Sequence, residues 1–276
     1  MGITKSNKQK DLLDKFYTKK EVAKECVDFL QKHIDLKSYD LIIEPSAGNG
    51  SFSNLFKNCL AYDISPENDK IIKQDFLLLD KSFTKDKRVL IIGNPPFGQQ
   101  AKEAFLFINE CSTFAETIAF ILPLSFKKKS YINRMPPYFI CIGEKILDKN
   151  SYTFYEQEYS LPCVFQIWQK KNTKRKKYKI KTKTKYFNFT TKDKADFRIQ
   201  RVGGNAGKAS LDLNYADSSN YFIKNNTTID TKELVEEINK IQYEELGWTC
   251  GPKSLSKGEL IEKIEEKISV DFKGIM

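Results

Sequence analysis

Asn94-Pro95-Pro96-Phe97 stands directly behind the apolar run Val89-Leu90-Ile91-Ile92 and is the most specific chemical signal in the chain. Two prolines after a buried strand fix a rigid, extended turn. Such a turn leaves the Asn94 side chain and the Pro95 carbonyl as acceptors aimed at one point, with Phe97 as a flat apolar face beside them. The set suits an amino group conjugated to an aromatic ring, which is a poor nucleophile because its lone pair is delocalised. Two acceptors holding its N–H groups favour the pyramidal, attacking geometry. The reaction is then an in-line displacement on an activated methyl, driven by positioning and electrostatics. It needs neither an ionised nucleophile nor a histidine, and the chain has one histidine, His33, which reads as a polar helix residue.

Three further motifs precede this turn. Glu44-Pro45-Ser46-Ala47-Gly48-Asn49-Gly50-Ser51 follows the short apolar run Leu41–Ile43, and its glycines allow a tight turn and close approach of backbone to a ligand. Asp63 closes the next apolar run, where a carboxylate can take two hydrogen bonds from a ribose diol. Asp75-Phe76 offers an acceptor for an exocyclic amine and an aromatic face for a purine. No G-x-x-x-x-G-K-[ST] spacing occurs, since Val202 occupies the first glycine position before Gly203–Lys208.

These motifs need a scaffold, and the periodicity supplies one. Val22, Ala23, Cys26, Phe29 and Leu30 predict a helix over 19–33. Short apolar runs at 41–43, 59–62, 89–92, 118–122 and 164–168 read as buried strands, Ile71-Ile72 leads into Asp75, and helices are expected from Phe52 and over 100–111. Trp168 reads as core. The alternation indicates an α/β fold, a doubly wound, mostly parallel, Rossmann-like sheet. From Gln169 the pattern changes. Lys179–Tyr186 alternates at period two, as an exposed or edge strand does. Strands are expected near Phe197–Val202 and Tyr221–Lys224, and helices starting at Asp230 and Ser256, with Glu233 and Glu259 placed for capping boxes. The reading is a domain over 1–169, a small basic β-rich appendage over 170–229 and a C-terminal helical segment over 230–276.

The 276 residues carry a net charge of +10, unevenly placed. Residues 170–229 hold 16 Lys/Arg against 4 Asp/Glu, a net of +12, flanked by near-neutral and acidic parts. Aromatics sit between the basic residues. This suits a polyanion, with Lys174, Arg175, Lys176, Lys177 and Arg201 as backbone contacts, and Arg198 and the Gly203–Lys208 loop also able to approach phosphates. An enzyme acting on a base in a duplex must extrude it, which gives the segment a task. Six scattered cysteines with no C-x-x-C pair argue against a disulfide framework or zinc site and for a reducing compartment. The N-terminus is too polar for a secretory signal, and no apolar run of about 18 residues exists. An intracellular protein with no metal and no membrane partner is expected.

Phe16-Tyr17-Thr18 with Val22-Ala23, then EPSAGNG, then NPPFG, in that order, resembles the S-adenosylmethionine-dependent amino-methyltransferases of the N6-adenine type, in the motif order of their gamma group, which includes restriction–modification DNA methyltransferases. The resemblance covers roughly residues 14–169. It implies a class I methyltransferase sheet and S-adenosylmethionine as cofactor. It further implies that Tyr17 and Thr18 line the methionine end, that Glu44, Ser46, Gly48 and Gly50 form the cofactor loop, and that Asp63 holds the ribose with Ile64 against the adenine. Asp75 and Phe76 would meet the cofactor's adenine, and Asn94, Pro95, Pro96 and Phe97 would take the target base, with Phe154 closing the base pocket. Lys19 departs from the proline the family has after the threonine of its first motif. DNA is the expected substrate. RNA, a protein glutamine amide and a retired, binding-only enzyme are the alternatives, and a protein partner is open for target recognition.

Overall fold

The computed structural model describes residues 17–148, 152–154, 157–159, 162–248 and 252–271, with backbone alone for 152–154, 157–159 and 270–271. The chain divides into two units. The first ends at Lys177 and the second begins at Tyr178, with Lys128–Ser130 grouped with the second. The border thus falls eight residues after the change of pattern at Gln169.

In chain order the first unit comprises β1 (Tyr17–Thr18), α1 (Lys20–Gln31), β2 (Leu41–Glu44), β3 (Leu60–Asp63), β4 (Ile72–Lys73), β5 (Val89–Gly93), α2 (Lys102–Ser112), β6 (Thr117–Pro123), β7 (Phe139–Ile146), β8 (Tyr152–Phe154), β9 (Gln157–Tyr159) and β10 (Cys163–Lys170), while the short α3 (Lys129–Ile132) is divided between the units after Ser130. Seven strands form one sheet in the order β4-β3-β2-β5-β6-β10-β7. The pairs β3–β4, β2–β3, β2–β5 and β5–β6 are parallel. β10 runs against both β6 and β7, so it is the one reversed strand of the sheet. Every residue of β5 and β6 is buried, as both-face coverage requires. The α1 face expected from the sequence packs there: Ala23, Cys26, Val27 and Leu30 share a core with Leu90, Ile92, Ala119, Ile121 and Phe165. Trp168 is buried, its Nε1 donating to Gln166 Oε1 at 3.0 Å. His33 lies just beyond α1, its ring against Phe29 at 4.5 Å.

Two expectations are corrected and three strands of the first unit are additional to those expected. Phe52–Phe56 does not begin an α-helix but makes a 3-10 turn over Ser53–Leu55, because Gly50 at φ +84° turns the chain and the Ser53 N–H is taken by Glu44. β7 and the strands β8 and β9 were not read from the sequence. Lys179–Tyr186 is no strand. It is an extended strap in the second unit, with Ile180 packed against Gly258 and Lys181 ion-paired to Glu265.

The second unit holds β11 (Phe187–Thr190), β12 (Phe197–Gln200), β13 (Ala209–Ser210), β14 (Asn220–Asn225), α4 (Thr231–Ile238) and α5 (Lys257–Asp271). The strands form an antiparallel sheet ordered β11-β14-β12-β13. Phe187, Phe197, Ile199 and Ile223 from the strands and Leu234, Ile238, Leu260, Ile261 and Ile264 from the helices build a single core. The β-rich part and the C-terminal helices, separated in the sequence reading, therefore fold together. Both helix starts carry a side-chain cap, and the reciprocal capping box expected at both is seen among the described residues at α5. Asp230 accepts from Lys232 N and Glu233 N, and Ser256 and Glu259 exchange hydrogen bonds as a capping box. Among the described residues no helix is long and apolar enough to cross a membrane.

Candidate active site

β2 is the strand from which the chain winds one way to β3 and β4 and then returns to β5 on the other side. Ligands of open α/β sheets bind outside the strand ends at such a reversal. The loop after β2, the end of β3 and the turn after β5 meet there around a cavity of about 290 Å³.

The β2 loop is held by its own backbone and by Asp63. Ala47 N donates to Tyr62 O at 2.9 Å and Gly50 N to Ala47 O at 2.7 Å. Gly48 N donates to Asp63 Oδ2 at 2.8 Å, and Ser65 N to Asp63 Oδ1 at 2.7 Å. Gly48 has φ +53°, and a Cβ there would stand 3.0 Å from Tyr17 Cε1, so the loop and β1 approach as only glycine permits. Ser51 Oγ donates to Thr18 O at 2.7 Å, tying the loop to β1. Ser46 Oγ donates to the Asn94 carbonyl at 3.3 Å, which joins this loop to the Asn-Pro-Pro turn.

Of the ten residues expected at the cofactor, Tyr17, Thr18, Glu44, Ser46, Gly48, Asp63, Ile64, Asp75 and Phe76 line the cavity. Gly50 does not, and closes the turn from behind. From the acceptor turn Asn94 and Pro96 line the same cavity, whereas Pro95 is buried and Phe97 packs half-buried against the α1 core. Phe76 presents little open face: it is 1% exposed, in parallel contact with Phe107 at 6.1 Å and in ring contact with Tyr62 and Phe114. The apolar surface facing the cavity comes instead from Ile64, 48% exposed, and from Leu77 and Leu106.

Sequence reasoning missed the α2 side of the cavity. Glu103, Leu106 and Phe107 line it at i, i+3 and i+4, and that helical spacing directly behind the acceptor turn was the available signal. Phe154 lies on β8, which pairs with β1 in the register Tyr17↔Thr153, so its backbone is beside the Tyr17 end of the cavity; its side chain lies outside the described residues.

Among the described residues the ionisable side chains lining the cavity, Tyr17 apart, are the carboxyls of Glu44, Asp63, Asp75 and Glu103, with no Lys, Arg or His. Glu44 is buried, its Oε2 accepting from Ser53 N at 2.7 Å. Burial pushes its carboxyl up to about 8, against the pull of the Ser53 and Phe52 backbone N–H groups and with a further push from Asp63. Tyr17 Oη donates to Glu67, and its burial raises the phenol above its ordinary range. Among the described residues the charged groups of the lining are acidic, and with an apolar wall and a glycine cradle they fit a ligand that joins positive charge to an aromatic base.

The basic residues fall into distinct groups. Lys174, Lys176 and Lys177 are exposed. Arg175 has another use: its Nη2 donates to Ile132 O at 2.8 Å and Met135 O at 3.2 Å, and its Nε to Phe139 O at 3.2 Å, so the guanidinium ties the chain to the start of β7. In the second unit Arg198 is buried, bonded to Asp212 O and Asn220 Oδ1 and lying 3.5 Å from the Tyr215 ring centroid, which removes it from the phosphate contacts expected. Arg201 is exposed, its guanidinium 5.3 Å from the Tyr221 ring centroid.

No protein-family model matches the chain, and no curated protein matches it. Among solved structures it is similar to a proposed RNA methyltransferase from Pyrococcus horikoshii, with 15% identity and a TM-score of 0.42 over 57% of this chain and 87% of that one. It is similar to a proposed class I S-adenosylmethionine-dependent methyltransferase from Listeria monocytogenes, with 16% identity and a TM-score of 0.41 over 64% of this chain and 65% of that one. A protein from Thermoplasma acidophilum matches with 17% identity and a TM-score of 0.39 over 63% of this chain and 100% of that one.

Proposed function

We propose that the chain is an S-adenosylmethionine-dependent methyltransferase that acts on the N6 amino group of adenine in nucleic acid, with DNA as the leading substrate. One observation carries this reading: the glycine-rich β2 loop and the Asn94–Pro96 turn line a single cavity and are joined by the Ser46–Asn94 hydrogen bond. When bound, the cofactor supplies an electrophilic methyl on a sulfonium centre. Glu44, ionised by the approach of a cation, holds the cofactor's ammonium at the Tyr17–Thr18 end. Asp63, with each oxygen bonded once to backbone, keeps lone pairs for the ribose hydroxyls. Ile64, Leu77 and Leu106 cover the purine and Asp75 faces its amine. At the other end the Asn94 amide oxygen, on the cavity wall, accepts from the amino group of the target adenine; the second acceptor is the Pro95 carbonyl that the motif implies, although Pro95 itself is buried beside the lining. Lys174, Lys176 and Lys177 supply backbone contact to the polynucleotide.

The test is transfer of labelled methyl to matched pools of duplex DNA, single-stranded DNA, total RNA and protein. Label in DNA supports the reading as stated. Label in RNA alone keeps the catalytic roles and changes the substrate. Label in protein alone, or none while the cofactor binds, overturns the nucleic-acid reading.

Two smaller effects follow. Gly48→Ala adds a Cβ 3.0 Å from Tyr17 Cε1 at φ +53° and is expected to weaken S-adenosylmethionine binding about tenfold, read by calorimetry, for a strain of about 1–2 kcal/mol. Replacing Lys174, Lys176 and Lys177 by Gln is expected to reduce the slope of log K against log salt by up to about 2.7 units. An unchanged slope would leave the three as solvated surface. Arg175 is left out of that set because its removal would free the carbonyls of Ile132, Met135 and Phe139.

A further inference from the structure

We propose that Glu103 receives the proton released when the amino group is methylated, an inference that rests on the amino-methylation reading. In that reaction the amine lone pair forms the N–C bond, the S–C bond breaks, and its electron pair stays on sulfur as a neutral thioether. The nitrogen is left as a cation that must lose one proton. The acceptor turn offers an amide oxygen and a carbonyl, and neither takes a proton near neutral pH. The proton therefore needs another base at the same wall of the cavity.

Four carboxylates line that cavity. Glu44 is buried and bonded to Ser53 N. Asp63 uses both oxygens on backbone N–H groups, and Asp75 accepts from Leu77 N at 2.9 Å. Glu103 is exposed and makes no hydrogen bond or ion pair to another described residue. It shares the α2 wall with Leu106 and Phe107, and lines the cavity together with Asn94 and Pro96.

The local backbone places it there. Gly98, the residue after Phe97, has φ +64°, and a Cβ on it would meet Glu103 Cγ at 2.8 Å, Cδ at 2.9 Å and Oε1 at 3.0 Å. The carboxylate thus lies against the exit of the acceptor turn. Gln100 at φ +56° and Ala101 at φ +58° are consecutive non-glycine residues in the left-handed region, immediately before α2 starts at Lys102. Such strain gathers where the surrounding structure fixes a functional geometry. An acid in the first turn of a helix also complements the helix dipole. That role alone would leave the pH dependence of the reaction and the cavity's preference for a cation at the reacting point unchanged.

The experiment compares wild type, Glu103→Gln and Glu103→Asp, each first shown to melt cooperatively. Single-turnover methylation of an adenine-containing oligonucleotide is followed from pH 5 to 9. In parallel, calorimetry compares S-adenosylhomocysteine with sinefungin, which carries an ammonium where the transferable methyl sits. Glu103→Gln is expected to slow transfer about 10²-fold and to lose the rise of rate with pH on the acid side. It is also expected to lose about tenfold of the preference for the ammonium analogue, with Glu103→Asp restoring part of each. A Gln variant with the wild-type profile and an intact preference overturns the proposal and leaves Glu103 as a helix-start acid. A wild-type protein that binds cofactor and methylates no adenine overturns the amino-methylation reading and this inference with it, an outcome that needs no variant and so is told apart from the first.

Discussion

Asn94→Ala is expected to lower single-turnover methyl transfer by about 10²–10³-fold while leaving S-adenosylmethionine binding within a few fold. Asn94 lines the cavity at the end of β5, and its backbone carbonyl, not its side chain, is what Ser46 bonds. The alanine variant therefore keeps the Ser46 link between loop and turn while removing the acceptor oxygen. Asn94→Asp keeps an acceptor oxygen and should retain more activity than alanine. Turnover that survives in Asn94→Ala would show that the acceptor geometry is wrong.

Glu44→Gln is expected to separate stability from binding. The Glu44 carboxyl sits at about 8 in the folded protein, against an ordinary value of 4.5. Between those values the unfolded chain gives up this proton before the native state does, so the unfolded state binds fewer protons and native stability falls as pH rises. The loss is present in full above pH 8 and absent below pH 4.5, and its upper bound is on the order of 5 kcal/mol. Gln keeps an oxygen for the Ser53 N–H and cannot ionise, so the variant should melt higher than wild type at pH 8 and converge with it near pH 4.5. Binding should move the other way. A cationic ligand lowers the Glu44 pKa, so wild-type affinity should rise with pH up to about 8, with proton release seen as a buffer-dependent calorimetric enthalpy. The variant should bind weakly with no such dependence. Equal melting of the two proteins across pH 5–8 would contradict a buried, largely protonated Glu44.

The parts of this molecule legible in its sequence are those whose signal is local. The turn after β5 declares itself because two prolines end a fully buried strand, and the β2 loop because Gly48 and Gly50 take φ of +53° and +84°. The capping box of α5 is a four-residue pattern found where expected, and Asp230 caps α4 from the position its sequence suggests. What was not legible depends on distant partners. β7 is mostly half-buried, and only its pairing with β10 makes it a strand. β10 itself reads as a buried strand, but its reversed direction is set by the return from β7. Lys179–Tyr186 alternates correctly and yet forms no strand ladder among the described residues; Ile180 packs on Gly258 and Lys181 pairs with Glu265. Arg175 and Arg198 look alike in a charge count. Only the carbonyls of Ile132, Met135 and Phe139 and the ring of Tyr215 show that both are committed within the fold.

The most direct test of the central claim is where the methyl lands. Incubation with S-adenosylmethionine carrying a labelled methyl and an adenine-rich oligonucleotide, followed by digestion and mass spectrometry of the nucleosides, locates it. Two acceptors on the N–H groups of an amine place the label on the exocyclic N6 of adenine. Label on a ring nitrogen, on carbon or on the sugar would contradict the assignment of Asn94 and Pro95 as acceptors for an amino group.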